Sequence, residues 1–470
     1  MTNSIIFKTF KTFKHSYVYD RHTNSITLLT EKEHDELHEV ETSKMSYEES
    51  AVVSKFQTSD MLIPNVVEKI EHPATDILEQ RLSTRVKQLT LQVTQQCNLR
   101  CSYCAYSGIY ENSRTHSSKR MNFETAARAI DFFLQRNTEL SDVVIGFYGG
   151  EPLLEFDLIK RCVEYAKSQV EGKRIRFNIT TNGTLLNDHI VDYLVENDFS
   201  LGISIDGPEQ EHNVNRKFAN GDGSFNAIMD NIRRVKERYP EYGQAIMVLT
   251  TLNPFMELGC TLEFFSTEEL FGDTQIMFNS MKESNLNQEL SYSEDHYRLR
   301  SYEHIKMLLS LIGKLDKKYV SKLTAASRDR VKQGQKHKRE HTAMSPVMHH
   351  GGPCMAGVHR LFVRVDGVLF PCERVNELLD YFMIGTLENG IDISKTTALM
   401  NIGKVTEAEC KNCWNLRHCA ICSGEVEFDG VLTRDDKLKT CPKTCSNTFA
   451  EMYELCVLNE FGLKSESILF

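Results

Sequence analysis

The sequence lacks the features that mark membrane, secreted and nucleic-acid-binding proteins. No stretch approaches the roughly 18 consecutive apolar residues of a membrane span. The N-terminal segment has spread lysines and no small-residue cleavage site, so it is a poor signal peptide. Basic residues number 55 against 65 acidic ones, a net charge of −10, whereas phosphate contacts need a basic surface. We therefore expect a cytoplasmic protein that binds neither a membrane nor nucleic acid.

What remains is the composition of a packed globular protein with many cysteines. The 470 residues are 41% hydrophobic and 26% charged, and about 150 residues per domain gives about three domains. Disulfides are rare in a reducing compartment, where clustered thiols usually hold metal. Of the 14 cysteines, three lie between Cys97 and Cys104 and eight between Cys354 and Cys445. Two such groups indicate more than one metal cluster.

Strand–helix alternation begins at Lys87. The expected strands are Leu89–Thr94, Val143–Tyr148, Arg174–Thr180, Leu201–Ile205 and Gln244–Thr251, and the expected helices are Asn122–Arg136, Glu155–Val170, Asp188–Glu196 and Phe225–Arg238. This repeat predicts a parallel sheet with right-handed crossovers. With about six units, we expect an α/β fold with a partial (βα)6 TIM-like barrel over residues 87–282.

The flanking segments differ from this core. In residues 1–86, two short alternating runs joined by Arg21–Asn24 and followed by the acidic helix Glu31–Glu41 predict a winged-helix-like module. Residues 283–348 form a polar linker that we expect to be helical over Glu283–Lys338. Residues 349–470 are loop-rich and cysteine-dense, so metal must replace much of their core. A final helix is expected over Phe449–Leu463.

The first cysteine group, Cys97-x3-Cys101-x2-Cys104, follows the first strand of the expected barrel. Active sites of barrel folds lie at the C-terminal ends of the strands. Three thiolates bind three irons of a cubane and leave the fourth iron open, as a catalytic metal requires. A zinc loop, or thiols packed by chance, is the alternative interpretation.

With this loop the chain resembles the radical SAM superfamily, whose CxxxCxxC motif it matches at Cys97, Cys101 and Cys104 with an aromatic residue, Tyr103, before the last cysteine. The family's GGEP motif is matched by the segment from Gly149 to Pro152, and paired glycines allow a ligand to approach the backbone closely. Other matches follow in the family's order at strand ends. The resemblance implies S-adenosylmethionine (SAM) contacts at Tyr103, Gly149, Gly150, Glu151, Thr181, Asn182, Ser204, Asp206 and Arg216.

The second cysteine group is similar to the SPASM extension of radical SAM peptide maturases, which holds two auxiliary [4Fe-4S] clusters. The resemblance implies an inner cluster on Cys354, Cys372 and Cys422, and an outer cluster on Cys410, Cys413, Cys419 and Cys441. Cys445 either completes the inner cluster or is free, in which case the inner cluster keeps an open iron. The expected cofactors are therefore SAM and three [4Fe-4S] clusters. Only two residues separate Cys419 from Cys422, where the family usually has three, and a structural zinc site is the alternative.

The remaining cysteines and some neighbours of the ligands have simpler interpretations. Cys162, Cys260 and Cys456 are expected to pack as small hydrophobic side chains. Trp414 is expected to shield a cluster from solvent. His349 and His350 precede Cys354, and a ligand role and a polar loop explain them equally well.

The resemblance implies that a reduced cluster cleaves SAM and that a 5′-deoxyadenosyl radical removes hydrogen from a substrate carbon. In this family a winged-helix-like element often binds a precursor peptide's leader by strand addition. The chain looks like the sactipeptide and ranthipeptide maturases. It is therefore expected to form Cys sulfur-to-carbon thioethers in a ribosomally made, Cys-rich peptide, with electrons from a flavodoxin- or ferredoxin-type reductant.

Other functions remain open. An anaerobic sulfatase maturase carries an Asp base in the SPASM region, where this chain has Glu373 after Cys372, and generally lacks a leader-binding domain. Both features count against this function. Glu373 is the candidate base here. Carbon–carbon cross-linking or epimerisation of a peptide is not separable from thioether formation by sequence. An iron–sulfur electron-transfer protein without catalysis would need no SAM pocket.

Overall fold

The structure is a computed structural model that describes residues 4–170, 172–281, 285–287, 289–325, 327–329, 331, 342–463 and 468–469. The strands are β1 Phe7–Lys11, β2 Ser16–Asp20, β3 Ser25–Leu29, β4 Lys69–Ile70, β5 Gln88–Thr94, β6 Asp142–Gly149, β7 Arg174–Thr181, β8 Phe199–Ser204, β9 Met247–Leu252, β10 Gln275–Ser280, β11 Val347–Met348, β12 Leu361–Val363, β13 Val368–Phe370, β14 Gly385–Thr386, β15 Gly390–Ile391 and β16 Ile468–Leu469. The α-helices are Glu31–Glu41, Ala51–Gln57, Leu78–Thr84, Phe123–Leu134, Phe156–Gln169, Asp188–Glu196, Glu209–Asn215, Phe225–Arg238, Pro240–Ala245, Leu258–Thr267, Glu294–Leu311, Ile393–Met400, Glu407–Lys411 and Arg434–Glu460.

The central sheet is mixed and has ten strands, in the order β10-β9-β8-β7-β6-β5-β12-β13-β14-β15. Strands β5 to β10 are parallel and follow chain order, as the strand–helix alternation predicts. The cysteine-rich half adds β12 parallel to β5 and then the antiparallel strands β13 to β15. The two halves of the chain therefore share one sheet. Closure into a partial (βα)6 barrel stays a prediction.

The position of β5 explains its composition. It lies between β6 and β12, and Leu89, Leu91 and Val93 are fully buried on one face, while Thr90 and Gln92 are buried on the other. A strand that is covered on both faces consists almost entirely of buried residues. The three-cysteine loop therefore begins at the end of one of the most enclosed strands of the sheet.

The N-terminal module contains the antiparallel sheet β1-β2-β3, with β16 added in parallel to β3. The predicted helix Glu31–Glu41 begins at Thr30, which forms a capping box with Glu33. The module docks on the cysteine-rich half, where Arg21 Nη1 donates to the carbonyl oxygens of Lys411 at 2.7 Å and Cys413 at 3.1 Å. A winged-helix classification of this module stays a prediction.

Trp414 belongs to this docking surface. Its ring packs edge-on against Tyr19, with the ring centroids 6.2 Å apart. It also joins an apolar cluster with Met452 and Cys456. Trp414 therefore holds the N-terminal sheet against the cysteine-rich half, a contact that the shielding role expected from sequence did not include.

The C-terminal helix is longer than predicted. It begins at Arg434 rather than Phe449, because Thr433 and Asp436 form a capping box that the sequence analysis did not use. Pro442 within the helix also obscures the helical pattern. As a result, Cys441 and Cys445 lie one turn apart on a helix.

The linker is only partly helical within the described residues. Glu294–Leu311 is a helix, and short 3-10 turns follow at Lys317–Tyr319 and Lys322–Thr324. Residues 282–284, 288, 326, 330 and 332–341, which include the end of the predicted helical stretch, lie outside the described residues. No helix in the described part of the chain combines the length and the apolarity needed to cross a membrane.

Candidate active site and cysteine clusters

The three-cysteine loop lines a cavity of about 200 Å³ at the C-terminal ends of the parallel strands. The wall includes these predicted site residues: Cys97, Cys101, Tyr103, Cys104, Gly149, Gly150, Thr181, Asn182, Ser204 and Arg216. The structure therefore brings residues from three strand ends, the cysteine loop and Arg216 around one space. Glu151, Asp206 and Glu373 do not line this cavity.

The paired glycines are required by the chain itself. A Cβ on Gly149, whose φ is +148°, would lie 2.1 Å from the Thr94 carbonyl oxygen, and one on Gly150 would lie 2.1 Å from that of Gln96. The Gly150 N–H donates to Thr94 O at 3.0 Å, and the Glu151 N–H donates to Gln96 O at 2.9 Å. The sequence predicted a close approach by a ligand, whereas the structure shows a close approach by the end of β5. The glycines therefore fix the start of the cysteine loop.

Glu151 holds strand ends together instead of lining the cavity. Its carboxylate accepts from the Thr181 hydroxyl at 2.7 Å, the Asn182 N–H at 2.7 Å and the Leu153 N–H at 3.0 Å. Burial raises the pKa of Glu151, and these three donors oppose that rise. Asn182 in turn donates to Asn98 Oδ1 at 2.8 Å, next to Cys97. This network positions Thr181 and Asn182 on the cavity wall.

Tyr103 connects the cysteine loop to two buried charges. Its hydroxyl donates to Asp206 Oδ2 at 2.6 Å and accepts from Arg216 Nη1 at 2.6 Å. Asp206 also accepts from the Thr251 N–H at 3.1 Å, so it lies behind the cavity wall and positions Tyr103. Burial raises the pKa of Asp206, and the Arg216 charge opposes that rise.

Arg216 retains an unused donor. Its Nε is buried without a hydrogen-bond partner among the described residues, although the side chain lines the cavity. A buried guanidinium N–H without a partner is unfavourable, so this position fits a bound anionic group. The carboxylate of SAM is a group of that kind.

The donor set fits an iron–sulfur cluster. Burial raises the pKa of Cys97 to about 11 and that of Cys101 to about 12, so these thiols are protonated until metal displaces the protons. Within the described ranges, no three His, Cys, Asp or Glu side chains converge on one point as ligands of a single ion would. A cubane instead binds each thiolate to a different iron.

One side of the cavity is lined by residues outside the predicted site. The other lining residues are Leu99, Ala105, Tyr106, His116, Tyr148 and Thr180. The Tyr106 hydroxyl donates to the buried Glu377 at 3.3 Å, and Arg114 stacks 3.4 Å from the Tyr106 ring and pairs with Glu377 at 3.0 Å. Tyr148 directly precedes Gly149 and was recognisable by position. Glu377 belongs to no motif, so only the folded chain reveals it.

Glu373 lies beside the inner cysteine group. One carboxylate oxygen forms an ion pair with Arg360, and the other, Oε2, is buried without a hydrogen-bond partner among the described residues. An ionised Cys354 would raise the pKa of Cys372, and ionised Cys354 and Cys372 would each raise that of Cys422, so the three thiols lie close together. Burial raises the pKa of Cys422 to about 11.

The outer cysteine group encloses a cavity of about 130 Å³. Five thiols line it: Cys410, Cys413, Cys419, Cys441 and Cys445. Cys445 shares a hydrogen bond with Cys413, which lowers the pKa of Cys445 to about 6. The structure thus places Cys445 with the outer group, one helical turn after Cys441, and not with the inner three.

The two histidines before Cys354 have different environments. His349 accepts from the Gly403 N–H through Nε2 at 2.9 Å and contacts His350 O through Nδ1 at 2.8 Å. His350 lines the outer cavity, and both of its ring nitrogens are buried without a hydrogen-bond partner among the described residues. His349 therefore has a structural role in the loop.

Two of the three isolated cysteines pack as predicted. Cys162 and Cys456 are fully buried, whereas Cys260 is exposed. Cys260 lies on the solvent face of the helix Leu258–Thr267, whose other face buries Leu262 and Phe265. The prediction that Cys260 packs in the core was therefore wrong.

Known proteins are similar to the part of this chain that carries the first cysteine loop. Residues 91–257 match the model of the radical SAM superfamily. An uncharacterized protein of Methanocaldococcus jannaschii is 34% identical over 197 residues, covering 42% of this chain and 63% of the relative. The serine-type anaerobic sulfatase-maturating enzyme of Bacteroides thetaiotaomicron is 32% identical over 176 residues, covering 35% of this chain and 42% of the relative. The chain thus spans less than two thirds of the length of these relatives.

A solved structure has the same fold. Native anSMEcpe with bound AdoMet and Cp18Cys peptide matches with a TM-score of 0.55 and 20% identity, covering 80% of this chain and 99% of that one. This likeness concerns the α/β architecture, in which the parallel strands carry the cysteine loop. Residues 91–257, with their three-cysteine loop and paired glycines, are therefore the part of this chain that is similar to the radical SAM superfamily.

Proposed function

We propose that this chain is a radical SAM maturase that forms thioether cross-links from cysteine sulfur to carbon in a Cys-rich, ribosomally made peptide. When bound, a [4Fe-4S] cluster on Cys97, Cys101 and Cys104 and SAM supply a 5′-deoxyadenosyl radical that removes hydrogen from carbon. Arg216 would hold the SAM carboxylate through its unused Nε, and the Gly149–Gly150 backbone would meet the amino group. The buried cavity wall would exclude water from the radical.

The inner cysteine group is the observation that carries this proposal. It has three thiols, while the remaining candidate, Cys445, pairs with Cys413 in the outer group. Three protein thiolates on a cubane leave one iron for a further sulfur. A peptide cysteine would supply that sulfur as the nucleophile of the thioether. The link to the SAM cavity is Tyr148, which lines it and whose pKa is raised by burial and by the charges of both Glu373 and Cys104.

Glu373 would accept the proton of the peptide thiol. Its Oε2 is buried beside the inner group without a partner among the described residues, and the ion pair with Arg360 holds the other oxygen. Thioether formation would transfer one hydrogen atom from carbon to the 5′-deoxyadenosyl radical, giving 5′-deoxyadenosine, release the thiol proton and leave one electron. An auxiliary cluster is suited to accept that electron.

The substrate would be a peptide bound partly through the N-terminal module. The β3 edge already accepts a short strand, β16, through main-chain pairing, which is the geometry that strand addition uses. The anSMEcpe structure contains a Cp18Cys peptide, which supports a cysteine-containing peptide as substrate here.

Anaerobic incubation with SAM, a reductant and the Cys-containing peptide encoded nearest the gene, followed by tandem mass spectrometry, tests this function. We expect loss of two hydrogens per link and cysteines that no longer react with an alkylating agent. Cys372→Ala should still produce 5′-deoxyadenosine but form no link, and the exposed Cys260→Ala should behave as the unmodified protein. Thioether formation by Cys372→Ala would contradict the role of the inner group.

Formylglycine formation of the sulfatase-maturase type is the second candidate. It is favoured by the similarity to the Bacteroides thetaiotaomicron enzyme, whereas Glu373 stands after Cys372 where the resemblance implies an Asp base. The same assay with a sulfatase-derived peptide would give an aldehyde that reacts with a hydrazide probe. If the assay gives an aldehyde and no cross-link, the activity is formylglycine formation and not thioether formation.

A further inference from the structure

Lys437 is a buried cation within the outer cysteine group. Its side chain is 1% exposed, and it lies one helical turn before Cys441 on the helix Arg434–Glu460. Its ammonium donates to Thr406 Oγ1 at 2.6 Å and to Cys410 Sγ at 3.3 Å. The helix therefore delivers a positive charge directly to a thiol of the outer group.

No carboxylate of the described residues lies within 4.0 Å of this ammonium. Glu409 lines the same cavity, but it pairs with Arg434, whose Nε lies 2.8 Å from Glu409 Oε1. Burying an ammonium without a counter-charge is strongly unfavourable. Glu409 interacts with Lys437 through its charge only at longer range, so the nearest groups left to balance the ammonium are the sulfurs that surround it.

An iron–sulfur cluster on these cysteines would supply the missing counter-charge. Its four ligands are thiolates, so the ligated cluster is negative in both oxidation states. Adding an electron makes it more negative, and a nearby cation with an N–H···S hydrogen bond stabilises the reduced state more than the oxidised one. A fixed cation at this position therefore raises the reduction potential of the cluster.

We propose that Lys437 is the counter-ion of the outer cluster and raises its reduction potential, so that this cluster accepts an electron readily. The inference rests on the proposed function, because it assumes that the outer group holds a [4Fe-4S] cluster. It adds a positioning and tuning residue that lies outside the cysteine motif. Thr406 would fix the ammonium against Cys410.

Potentiometric titration followed by electron paramagnetic resonance tests the proposal on the full chain. The background would be Cys97→Ala, Cys101→Ala and Cys104→Ala together, which removes the signal of the catalytic cluster. Lys437→Met should lower the equilibrium constant for one-electron reduction at least about tenfold, or about 59 mV. Lys437→Gln keeps an N–H donor without the charge, so its reduction potential should lie between those of the background protein and Lys437→Met. Lys437→Arg, and the control Lys439→Met on the exposed side of the same helix, should stay within about threefold of the background protein.

Iron content distinguishes the outcomes. An unchanged potential and an unchanged iron content in Lys437→Met would overturn the proposal, as would a Lys437→Arg variant that behaves like Lys437→Met. Loss of about four irons in Lys437→Met but not in Lys437→Arg or Lys439→Met would support the counter-ion role. If Cys410→Ala with Cys413→Ala removes no iron, the outer cluster itself is refuted, which separates failure of the proposed function from failure of Lys437.

Discussion

At the residue scale, the three-cysteine loop depends on close backbone packing. Gly150 approaches Gln96 so closely that a Cβ would meet the Gln96 carbonyl oxygen at 2.1 Å. Both atoms sit on backbone held by hydrogen bonds, so neither can move without shifting the start of the cysteine loop.

Gly150→Ala should therefore displace the loop and lower the stability of the protein by about 1–3 kcal/mol. We expect loss of the catalytic cluster, measured as iron per chain, and loss of 5′-deoxyadenosine formation. Gly259→Ala is the matched control, because a Cβ at this helical glycine would make an ordinary 3.7 Å contact with Leu299. Normal cluster loading in Gly150→Ala would contradict this account.

The Tyr103 hydroxyl satisfies two buried charges at once. Tyr103→Phe removes one hydrogen bond from Asp206 and one from Arg216, and we expect a loss of about 1–3 kcal/mol in unfolding free energy together with weaker SAM binding. Chemical denaturation and calorimetric titration with SAM would measure the two effects. Tyr165→Phe removes a hydroxyl that contacts Asp131 on the protein surface. It should change the unfolding free energy and the affinity for SAM by less than Tyr103→Phe does. Equal effects in the two variants would show that the buried charges do not matter.

The residue scale also shows what the sequence could not reveal. The spacing of Cys97, Cys101 and Cys104 identified the loop, because all three ligands lie within eight residues. The assignment of Cys445 depended on a helix that brings it to Cys413, and no spacing rule contains that information. Glu151 and Asp206 were recognisable as motif residues. Their position behind the cavity wall depends on hydrogen bonds from residues of other strands, which the sequence does not show.

At the scale of elements, local signals predicted most of the parallel core. Asn122 caps the helix Phe123–Leu134 through the Thr125 N–H at 2.8 Å, and the helices Asp188–Glu196 and Phe225–Arg238 have the predicted limits. The addition of β12 to β5 joins residues about 270 positions apart. Such pairings have no local signal, so the ten-stranded sheet was not predictable from periodicity.

A surface ion pair ties the segment after β4 to the cysteine-rich half. Glu71 pairs with Lys404 at 2.6 Å and Lys69 at 2.8 Å, and these partners lower the pKa of Glu71 to about 2. Because the pKa is lowered by folding, the pair stabilises the protein above about pH 4.5, and the contribution is lost as pH falls toward 2.

Glu71→Gln should therefore lower stability by about 0.5–1 kcal/mol at pH 7, since the pair is partly solvent-screened. The difference from the unmodified protein should shrink as pH falls below 4.5. Urea denaturation at several pH values measures this difference in stability. Glu68→Gln, at an exposed position three residues earlier, is the control. A difference independent of pH would show that the charge of Glu71 is not the cause.

At the scale of the whole molecule, the cysteine groups predict a metal content. Three [4Fe-4S] clusters require about 12 irons per chain. Simultaneous Ala substitution of Cys97, Cys101 and Cys104 should remove about four of them. Cys445→Ala should remove none, because four other thiols line the outer cavity. Iron and sulfide assays of reconstituted protein test these numbers, and loss of about four irons in Cys445→Ala would make Cys445 an essential ligand.

The docking of the N-terminal sheet on the cysteine-rich half sets an order for biogenesis. Arg21 contacts Lys411, which lies 390 residues later in the chain. At about 5–20 residues per second, a ribosome takes about 20 to 80 s to make that intervening length. During this interval the aromatic face of Tyr17 and Tyr19 has no partner from the C-terminal helix or from Trp414. The nascent N-terminal sheet is therefore a surface where chaperones would act, and its docking on the cysteine-rich half has to follow synthesis of that half.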